Sequence, residues 1–180
     1  MALYTYDSIH RTRVLETARA MLVAARTAPK GRGVDNLVAA VVDGDEIAVL
    51  AETMRTIGRR GGVAFFERDA GNLAHADAVV LLGTRIAPLG LKICGMCGFP
   101  NCESKAEHPD VPCVFNIGDL GIAVGSAVGV AADHRVDSRV MYTIGQAVKE
   151  LGWLGPDAAV IYGIPLSATA KNPFFDRPPV

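Results

Sequence analysis

All four cysteines of this 180-residue chain lie within twenty positions, in the segment "CGMCGFPNCESKAEHPDVPC", residues 94–113. Their spacing is C-x2-C-x4-C-x10-C, and a glycine follows each of the first two cysteines. Because glycine has no Cβ, the backbone there can bend around a metal and turn amide N–H groups towards the sulfurs. Four thiolates from one short segment are the donor set of a tetrahedral zinc or a cubane iron–sulfur cluster. The segment therefore predicts a metal centre, whose ligands are Cys94, Cys97, Cys102 and Cys113.

The uneven spacing favours a [4Fe–4S] cluster over zinc. Zinc sites often use two C-x2-C pairs, and this segment has one such pair followed by single cysteines. A cubane cluster accepts uneven spacing, since each thiolate binds its own iron atom. The order of the spacings differs from bacterial and plant-type ferredoxin runs, so zinc stays as the alternative. His108 lies inside the segment and is a further candidate ligand, although a surface histidine is the simpler interpretation.

Composition and charge exclude several other classes of protein. The formal net charge is −1, so no overall basic field suggests a nucleic-acid partner. The first residues, "MALYTYDSIHRTR", lack the apolar run of a signal peptide, and the longest weakly charged stretch contains Asp119 and is too short to cross a bilayer. These features predict a cytoplasmic protein with no membrane partner. Thiols stay reduced in the cytoplasm, so we do not expect disulfides.

Hydrophobic periodicity predicts helices that alternate with a few apolar strands. Because those strands are apolar throughout, we expect a sheet covered by helices on both faces. We expect one domain over residues 1–180, with a cysteine-rich insertion at 92–115 that has too many glycines and prolines for regular structure. The predicted helices are 7–28, 45–60, the second half of 61–76, 119–132 and 138–151, the last capped by Asp137 or Ser138. The predicted strands are 36–44, 77–86 and 157–165, with an extended tail from 167 to 180.

Three stretches carry a resemblance to a known family: "KICGMCGFPNCESK", "RTAPKGRGVDNL" and "DLGIAVGSAVGVAADHRVDSRVMYTIGQAVKELG". They resemble the bacterial and archaeal ferredoxin-domain-containing proteins of uncharacterised function, over nearly the whole chain. Those proteins in turn resemble nitroreductases, which are homodimeric α+β flavoproteins, through the "ARTAP" loop and a Gly/Ala-rich helix after mid-chain. The resemblance implies an α+β fold, with a nitroreductase-like sheet covered by helices and a cysteine-rich metal-binding loop.

The nitroreductase resemblance also implies an FMN site. In nitroreductases an arginine at the end of the first helix, with the loop after it, binds the FMN phosphate. By position this role falls to Arg26, Thr27 and Lys30, with Arg32, and Asn36 stands in for part of a polar stretch that this chain lacks. A guanidinium, a hydroxyl and an ammonium can together bind a phosphate through charge-assisted hydrogen bonds. The other interpretation is a glycine-rich turn that ends a helix, with its cations in solvent.

Further residues carry weaker indications. Glycines four positions apart on one helix face permit close helix packing, and the resemblance implies that the partner helix belongs to a homodimer; packing within one subunit is the alternative. Three aromatic residues could stack on a flavin, although a core position is the simpler interpretation. A polar group between two helices is explained better by helix capping than by metal binding. The glycines are Gly121, Gly125 and Gly129, the aromatics are Tyr142, Trp153 and Tyr162, and the polar group is Asp133, His134 and Asp137.

Three functions follow as hypotheses. The first is a redox protein that transfers electrons through a [4Fe–4S] cluster, with FMN as a further cofactor and with an unidentified redox partner. The second is a non-catalytic dimeric binding module that is braced by zinc or by a cluster. The third is an FMN-dependent nitro or quinone reductase, and no G-x-G-x-x-G run supports a nicotinamide site for it. The sequence does not decide whether the chain is an enzyme.

Overall fold

A four-stranded antiparallel sheet lies at the centre of the chain in the computed structural model, which describes residues 2–175. The strands are β1 (Leu37–Val42), β2 (Ala78–Thr84), β3 (Asp137–Ser138) and β4 (Val160–Ser167), in the order β1-β2-β4-β3. The helices of the described residues are α1 (Tyr6–Thr27), α2 (Glu46–Gly61), α3 (Ala64–Asn72), α4 (Cys102–Ala106), α5 (Val114–Asp133) and α6 (Tyr142–Leu151). Short 3-10 turns cover Gly31–Gly33 and Leu73–His75. This is the α+β class that the sequence predicts.

Helices cover both faces of the sheet, as the apolar strands predict. Every residue of β2 is buried, and successive side chains of a strand point to opposite faces. Val80 and Leu82 accordingly pack with α1 and α5, whereas Val79 and Leu81 pack with α2, α3 and α6. The continuous apolar runs of β2 and β4 therefore reflect burial on two sides.

Helix α6 lies directly on β4 because both elements carry a glycine where they meet. A Cβ at Gly145 would lie 1.8 Å from the carbonyl oxygen of Ile161, and a Cβ at Gly163 would lie 2.1 Å from Cγ2 of Ile144. No larger side chain fits either position without moving the helix away from the strand. These two glycines set the distance between α6 and the sheet.

Helix α5 packs along α1 on the same face of the sheet. The Ser126 hydroxyl donates a hydrogen bond to the Ala24 carbonyl oxygen at 3.0 Å, and Met21 and Leu120 are fully buried between the helices and the sheet. The sequence prediction that this stretch is too short to cross a bilayer is wrong for α5, because by length and composition alone the helix could do so, with a mean hydropathy of 1.6 in a window that is 33% buried. The core helix of a soluble protein passes the same test, and the cytoplasmic location stays a prediction.

The start of α6 differs from the prediction. The sequence predicts a helix from 138 that is capped by Asp137 or Ser138, but the helix begins at Tyr142, and these two residues form β3. They pair with Ser167 and Leu166 of β4. A polar pair before an amphipathic run resembles a helix cap, and here the free edge of β4 binds that backbone instead.

Other boundaries also differ. Helix α5 begins at Val114 rather than 119, α3 already begins at Ala64, and β4 is displaced towards Ser167. The cysteine segment contains the short helix α4, where the glycines and prolines predict no regular structure, because Asn101 accepts a hydrogen bond from Ser104 N at 2.8 Å and caps its first turn. The predicted tail is docked at Phe174, which is 1% exposed; its last residues, 176–180, lie outside the described residues.

Candidate metal centre and the adjoining cavity

The cysteine segment connects β2 to α5 and begins with two glycine turns. Gly95 and Gly98, which follow Cys94 and Cys97, have φ angles of 80° and 88°. This left-handed region strains residues that carry a Cβ. The Gly98 N–H donates to the Gly95 carbonyl oxygen at 3.1 Å and closes the turn. The two glycines therefore bend the backbone after each of the first two cysteines, as the sequence predicts.

The other two cysteines lie at helix starts. Cys102 is the first residue of α4, and Cys113 precedes the first residue of α5 and is 5% exposed. The remaining three cysteines are half-buried, and all four are free thiols. His108 is exposed and stacks on Phe99 with a ring separation of 5.0 Å.

The described residues do not bring the four sulfurs together at one point. Among residues 2–175, no group of three or more His, Cys, Asp or Glu side chains is arranged to hold a metal ion. Convergence of the four sulfurs therefore stays a prediction. The donor set nevertheless fits a tetrathiolate centre in number and kind, because soft thiolates are the ligands of zinc and of iron–sulfur clusters.

Two buried polar groups beside these cysteines lack a full set of partners, which also fits an anionic centre. Lys105 is 1% exposed, and its ammonium group donates to the His108 carbonyl oxygen at 2.9 Å. Asn116 is 1% exposed; its Oδ1 accepts from Ala87 N at 2.8 Å, but its Nδ2 has no partner. Sequence reasoning missed both residues, because nothing in their neighbourhood distinguishes them from an ordinary surface lysine and helix asparagine.

The loop after α1, predicted to bind a phosphate, has its arginine paired within the protein. Arg26 Nη1 lies 2.5 Å from Asp35 Oδ2 and 3.2 Å from the Leu37 carbonyl oxygen. Burial raises the pKa of the Asp35 carboxyl, but hydrogen bonds from Arg26 and the Leu37 N–H, with the charges of Arg26 and Lys30, outweigh burial and hold the pKa below its ordinary value. The ion pair connects the last turn of α1 to the residues that directly precede β1.

The remaining side chains of this loop are bound to backbone oxygens. Lys30 Nζ donates to the carbonyl oxygens of residues 25, 26 and 28 at 3.2, 2.6 and 2.7 Å, and Thr27 Oγ1 donates to that of Val23 at 3.0 Å. Arg32, with a φ of 56°, donates to the Leu89 carbonyl oxygen at 2.7 Å. These bonds satisfy carbonyl groups at the end of α1 and hold the loop against the segment after β2.

A mostly apolar cavity of about 450 Å³ joins this loop to the cysteine segment. Lys30 and Gly31 line one side, Met96 lies on the cysteine side, and Phe115 and Asp119 of α5 complete the wall. The Asp119 carboxylate is largely buried and accepts the Gly31 N–H at 2.9 Å. The structure therefore brings part of the predicted phosphate loop next to the cysteine segment, and Asp119 is a wall residue that sequence reasoning did not select.

Asn36 lies away from this cavity. It lines a separate cavity of about 600 Å³ with Arg85 and Asp110, and its buried Nδ2 has no hydrogen-bond partner. The predicted phosphate-binding group is thus divided between two places. Lys30 lines the cavity that Met96 also lines, whereas Asn36 directly precedes β1 and accepts the Arg85 N–H beside the end of β2.

The weaker candidates are distributed over the surface and the two cores. Tyr142 is exposed and contacts Phe65 and Phe66, while Trp153 and Tyr162 are half-buried on opposite faces of the sheet. These aromatics do not share one site. Of the polar group, Asp133 and His134 are exposed at the end of α5, and Asp137 binds Asn172 of the tail at 3.1 Å.

The glycines of α5 form an exposed face. Gly121, Gly125 and Gly129 are exposed, and a Cβ at any of them would meet nothing within 4 Å. Gly118 and Ile122 belong to the same face. The glycines therefore do not pack against another helix of the described chain.

Comparison with solved structures identifies the fold. A BluB-like flavoprotein from Clostridium difficile 630 is 17% identical with a TM-score of 0.56, and the match covers 92% of this chain and 84% of that one. The FMN and NADPH-dependent nitroreductase NfnB from Sphigopyxis sp. strain HMH is 14% identical with a TM-score of 0.61, over 91% and 83% of the chains. The chain thus has the nitroreductase-like fold that the sequence predicts.

Comparison of sequences identifies the family. Residues 109–177 match the model of "uncharacterized protein containing a ferredoxin domain" (DUF2148), a region that includes Cys113 and not the three earlier cysteines. An uncharacterized protein from Archaeoglobus fulgidus is 42% identical over 167 residues, which covers 88% of this chain and 89% of that protein. Ferredoxin domains support a redox role. The chain belongs to the family of uncharacterized proteins that contain a ferredoxin domain.

Proposed function

We propose that this chain is an iron–sulfur redox protein whose cluster is of the [4Fe–4S] type. The observation that carries the proposal is a set of four free thiols in the segment that links β2 to α5, beside two buried N–H groups that lack full partners. The family's ferredoxin domain and the flavoprotein fold support the same role. The ligands would be Cys94, Cys97, Cys102 and Cys113.

The cluster would supply one-electron transfer, and the chain would supply its ligands and its surroundings. The turns at Gly95 and Gly98 leave the backbone free to bring the first two sulfurs towards the others. Burial of Cys113 at the start of α5 keeps water from that thiol. The adjoining cavity, with Met96 in its wall, gives an electron donor or acceptor an approach to the segment.

Metal and sulfide analysis of anaerobically purified protein tests the proposal. We expect a brown protein with about four irons and about four sulfides per subunit, and a visible absorption band that bleaches on reduction. Cys113→Ser should lower the iron content, while Ser104→Ala in the same segment should keep it. A colourless protein with one tightly bound zinc would contradict the proposal and would favour the metal-braced binding module.

FMN is a separate question, because the NfnB nitroreductase of the same fold depends on it. The residues present do not fit a flavin phosphate at the loop after α1. Arg26 is already paired with Asp35, Lys30 is bound to three carbonyl groups, and the Gly31 N–H is taken by Asp119, whose negative charge would repel a phosphate dianion. We therefore assign electron transfer to the cysteine centre alone, and flavin retained through gel filtration would contradict this assignment.

We also propose that the protein is a homodimer that pairs through the exposed glycine face of α5. The helix is strongly apolar, yet only a third of its most apolar window is buried in the single chain. Glycines at 118, 121, 125 and 129 allow a second helix to approach closely, because a glycine has no side chain to hold it away, and the exposed Ile122 adds apolar surface for the contact. A second copy would cover apolar surface that the single chain leaves in water.

A further inference from the structure

Lys105 is a buried cation without a buried anion in the described residues. Its side chain is among the most buried of the chain at 1% exposure, although lysine is almost never fully buried unless it is paired. No carboxylate in residues 2–175 forms an ion pair with it, and the only acceptor of its three N–H groups is the His108 carbonyl oxygen. Burial of an ammonium group costs desolvation free energy, and a nearby anion is needed to offset that cost.

The position of Lys105 identifies the candidate anion. Residues three apart on a helix occupy neighbouring positions on its surface, so Lys105 and Cys102 occupy neighbouring positions on α4, and the ammonium group of Lys105 bonds to the His108 carbonyl oxygen. Asn116 lies three positions after Cys113, the extended residue that precedes α5, and its Nδ2 is buried without an acceptor. Each cysteine at a helix start is therefore followed, three positions later, by a buried N–H donor with unused hydrogen-bonding capacity.

We propose that Lys105 and Asn116 are positioning residues that donate to the sulfurs of an anionic thiolate centre and set its redox potential. This inference rests on the proposed function. Four thiolates outweigh the charge of the metal they hold, so the centre is an anion that a cation and N–H donors stabilise. Reduction adds one electron and hence one more negative charge, so the donors stabilise the reduced form more than the oxidised form. They therefore raise the midpoint potential.

Potentiometric titration of the iron–sulfur-reconstituted protein tests this role. We expect Lys105→Met to shift the midpoint potential to more negative values, Lys105→Arg to keep it close to that of the native chain, and Asn116→Leu to cause a smaller negative shift. Lys92→Met is the matched control, because Lys92 is an exposed lysine two residues before Cys94 and should leave the potential unchanged. Unchanged potentials in both Lys105→Met and Asn116→Leu would overturn the inference.

Thermal unfolding separates this role from a merely structural one. In metal-free protein the ammonium has no anion, so Lys105→Met should leave the melting temperature unchanged or raise it. In metal-loaded protein the same substitution should lower it. An equal loss in both forms, or an apoprotein that no longer folds, would mean that Lys105 acts only through the His108 carbonyl and would overturn the inference.

The same measurements distinguish failure of the inference from failure of the proposed function. If the native chain binds iron and sulfide but the variants keep its potential, only the role of Lys105 and Asn116 is overturned. If the native chain binds zinc alone, the iron–sulfur proposal is overturned together with the effect on the redox potential, because zinc has no redox couple, and the unfolding comparison on the zinc form decides only whether Lys105 stabilises the thiolate centre. If the native chain binds neither metal, both proposals are overturned.

Discussion

Asp69 shows how one buried side chain connects several parts of this protein. The carboxylate is 4% exposed and accepts hydrogen bonds from Thr143 at 3.0 Å and from the guanidinium of Arg68 at 2.8 and 3.0 Å. Arg139 lies 3.9 Å away and donates to the Phe174 carbonyl oxygen at 2.9 Å. Asp69 therefore holds α3, α6 and the docked tail together.

Replacement of Asp69 by alanine should lower the free energy of unfolding by about 3 kcal/mol. The substitution leaves the fully buried Thr143 hydroxyl without its acceptor and removes the carboxylate that lies beside the half-buried guanidinium of Arg139. Urea unfolding followed by circular dichroism measures the loss.

The matched control is Glu67→Ala, two residues earlier on the same helix. Glu67 is exposed and pairs with Arg55 at 3.3 Å, and such surface ion pairs contribute about 1 kcal/mol or less. An equal loss in the two variants would show that burial does not distinguish Asp69.

At the scale of elements, the contact between α6 and β4 depends on a residue without a side chain. We expect Gly145→Ala to lower the free energy of unfolding by at least about 2 kcal/mol, because the new methyl group would overlap the Ile161 carbonyl group and push the helix off the sheet. Gly71→Ala is the control: Gly71 is an exposed helical glycine with nothing within 4 Å of the added Cβ, so its replacement should be neutral or stabilise by up to about 1 kcal/mol. A Gly145→Ala variant as stable as the Gly71→Ala variant would contradict this account.

Helices and strands whose apolar residues recur at a regular spacing were predictable from the sequence. Elements that depend on contacts with residues outside their own apolar pattern were not. Helices α1 and α2 and strand β2 carry their own apolar pattern, and their bounds agree with it to within a few residues. Strand β3 exists because the edge of β4 pairs with Asp137 and Ser138, which no local pattern reveals. Helix α4 depends on one cap from Asn101 inside a stretch rich in glycine and proline.

The candidate site was predictable in its thiols and not in its surroundings. Spacing alone selects Cys94, Cys97 and the two later cysteines as candidate ligands, and their role as ligands stays a prediction. Whether Arg26 is free for a ligand depends on Asp35, which is nine positions away and folds back onto it. Burial of Lys105 likewise depends on the tertiary structure, since the sequence alone predicts that a lysine in a polar stretch is exposed.

At the scale of the whole molecule, the proposed dimer gives a direct prediction. Native protein should behave as a dimer in size-exclusion chromatography with light scattering, and Gly125→Gln should convert it to a monomer that remains folded, because a long polar side chain would project from the α5 face. Gly71→Gln, at an exposed position on α3, should leave the dimer intact. A native monomer, or a Gly125→Gln variant that is still dimeric, would contradict the proposed pairing.

Helix α5 connects the proposed metal centre to the proposed dimer surface. It begins directly after a buried cysteine and extends through the glycine face, a length of roughly 30 Å at the rise of an α-helix. One helix therefore carries both a proposed metal ligand and the proposed surface for a second copy. Oxidation of the thiol by air, which would loosen the first turn of this helix, would therefore also weaken the proposed contact between subunits. Dilution of the protein, which separates a dimer into monomers, would in turn speed the loss of the bound metal.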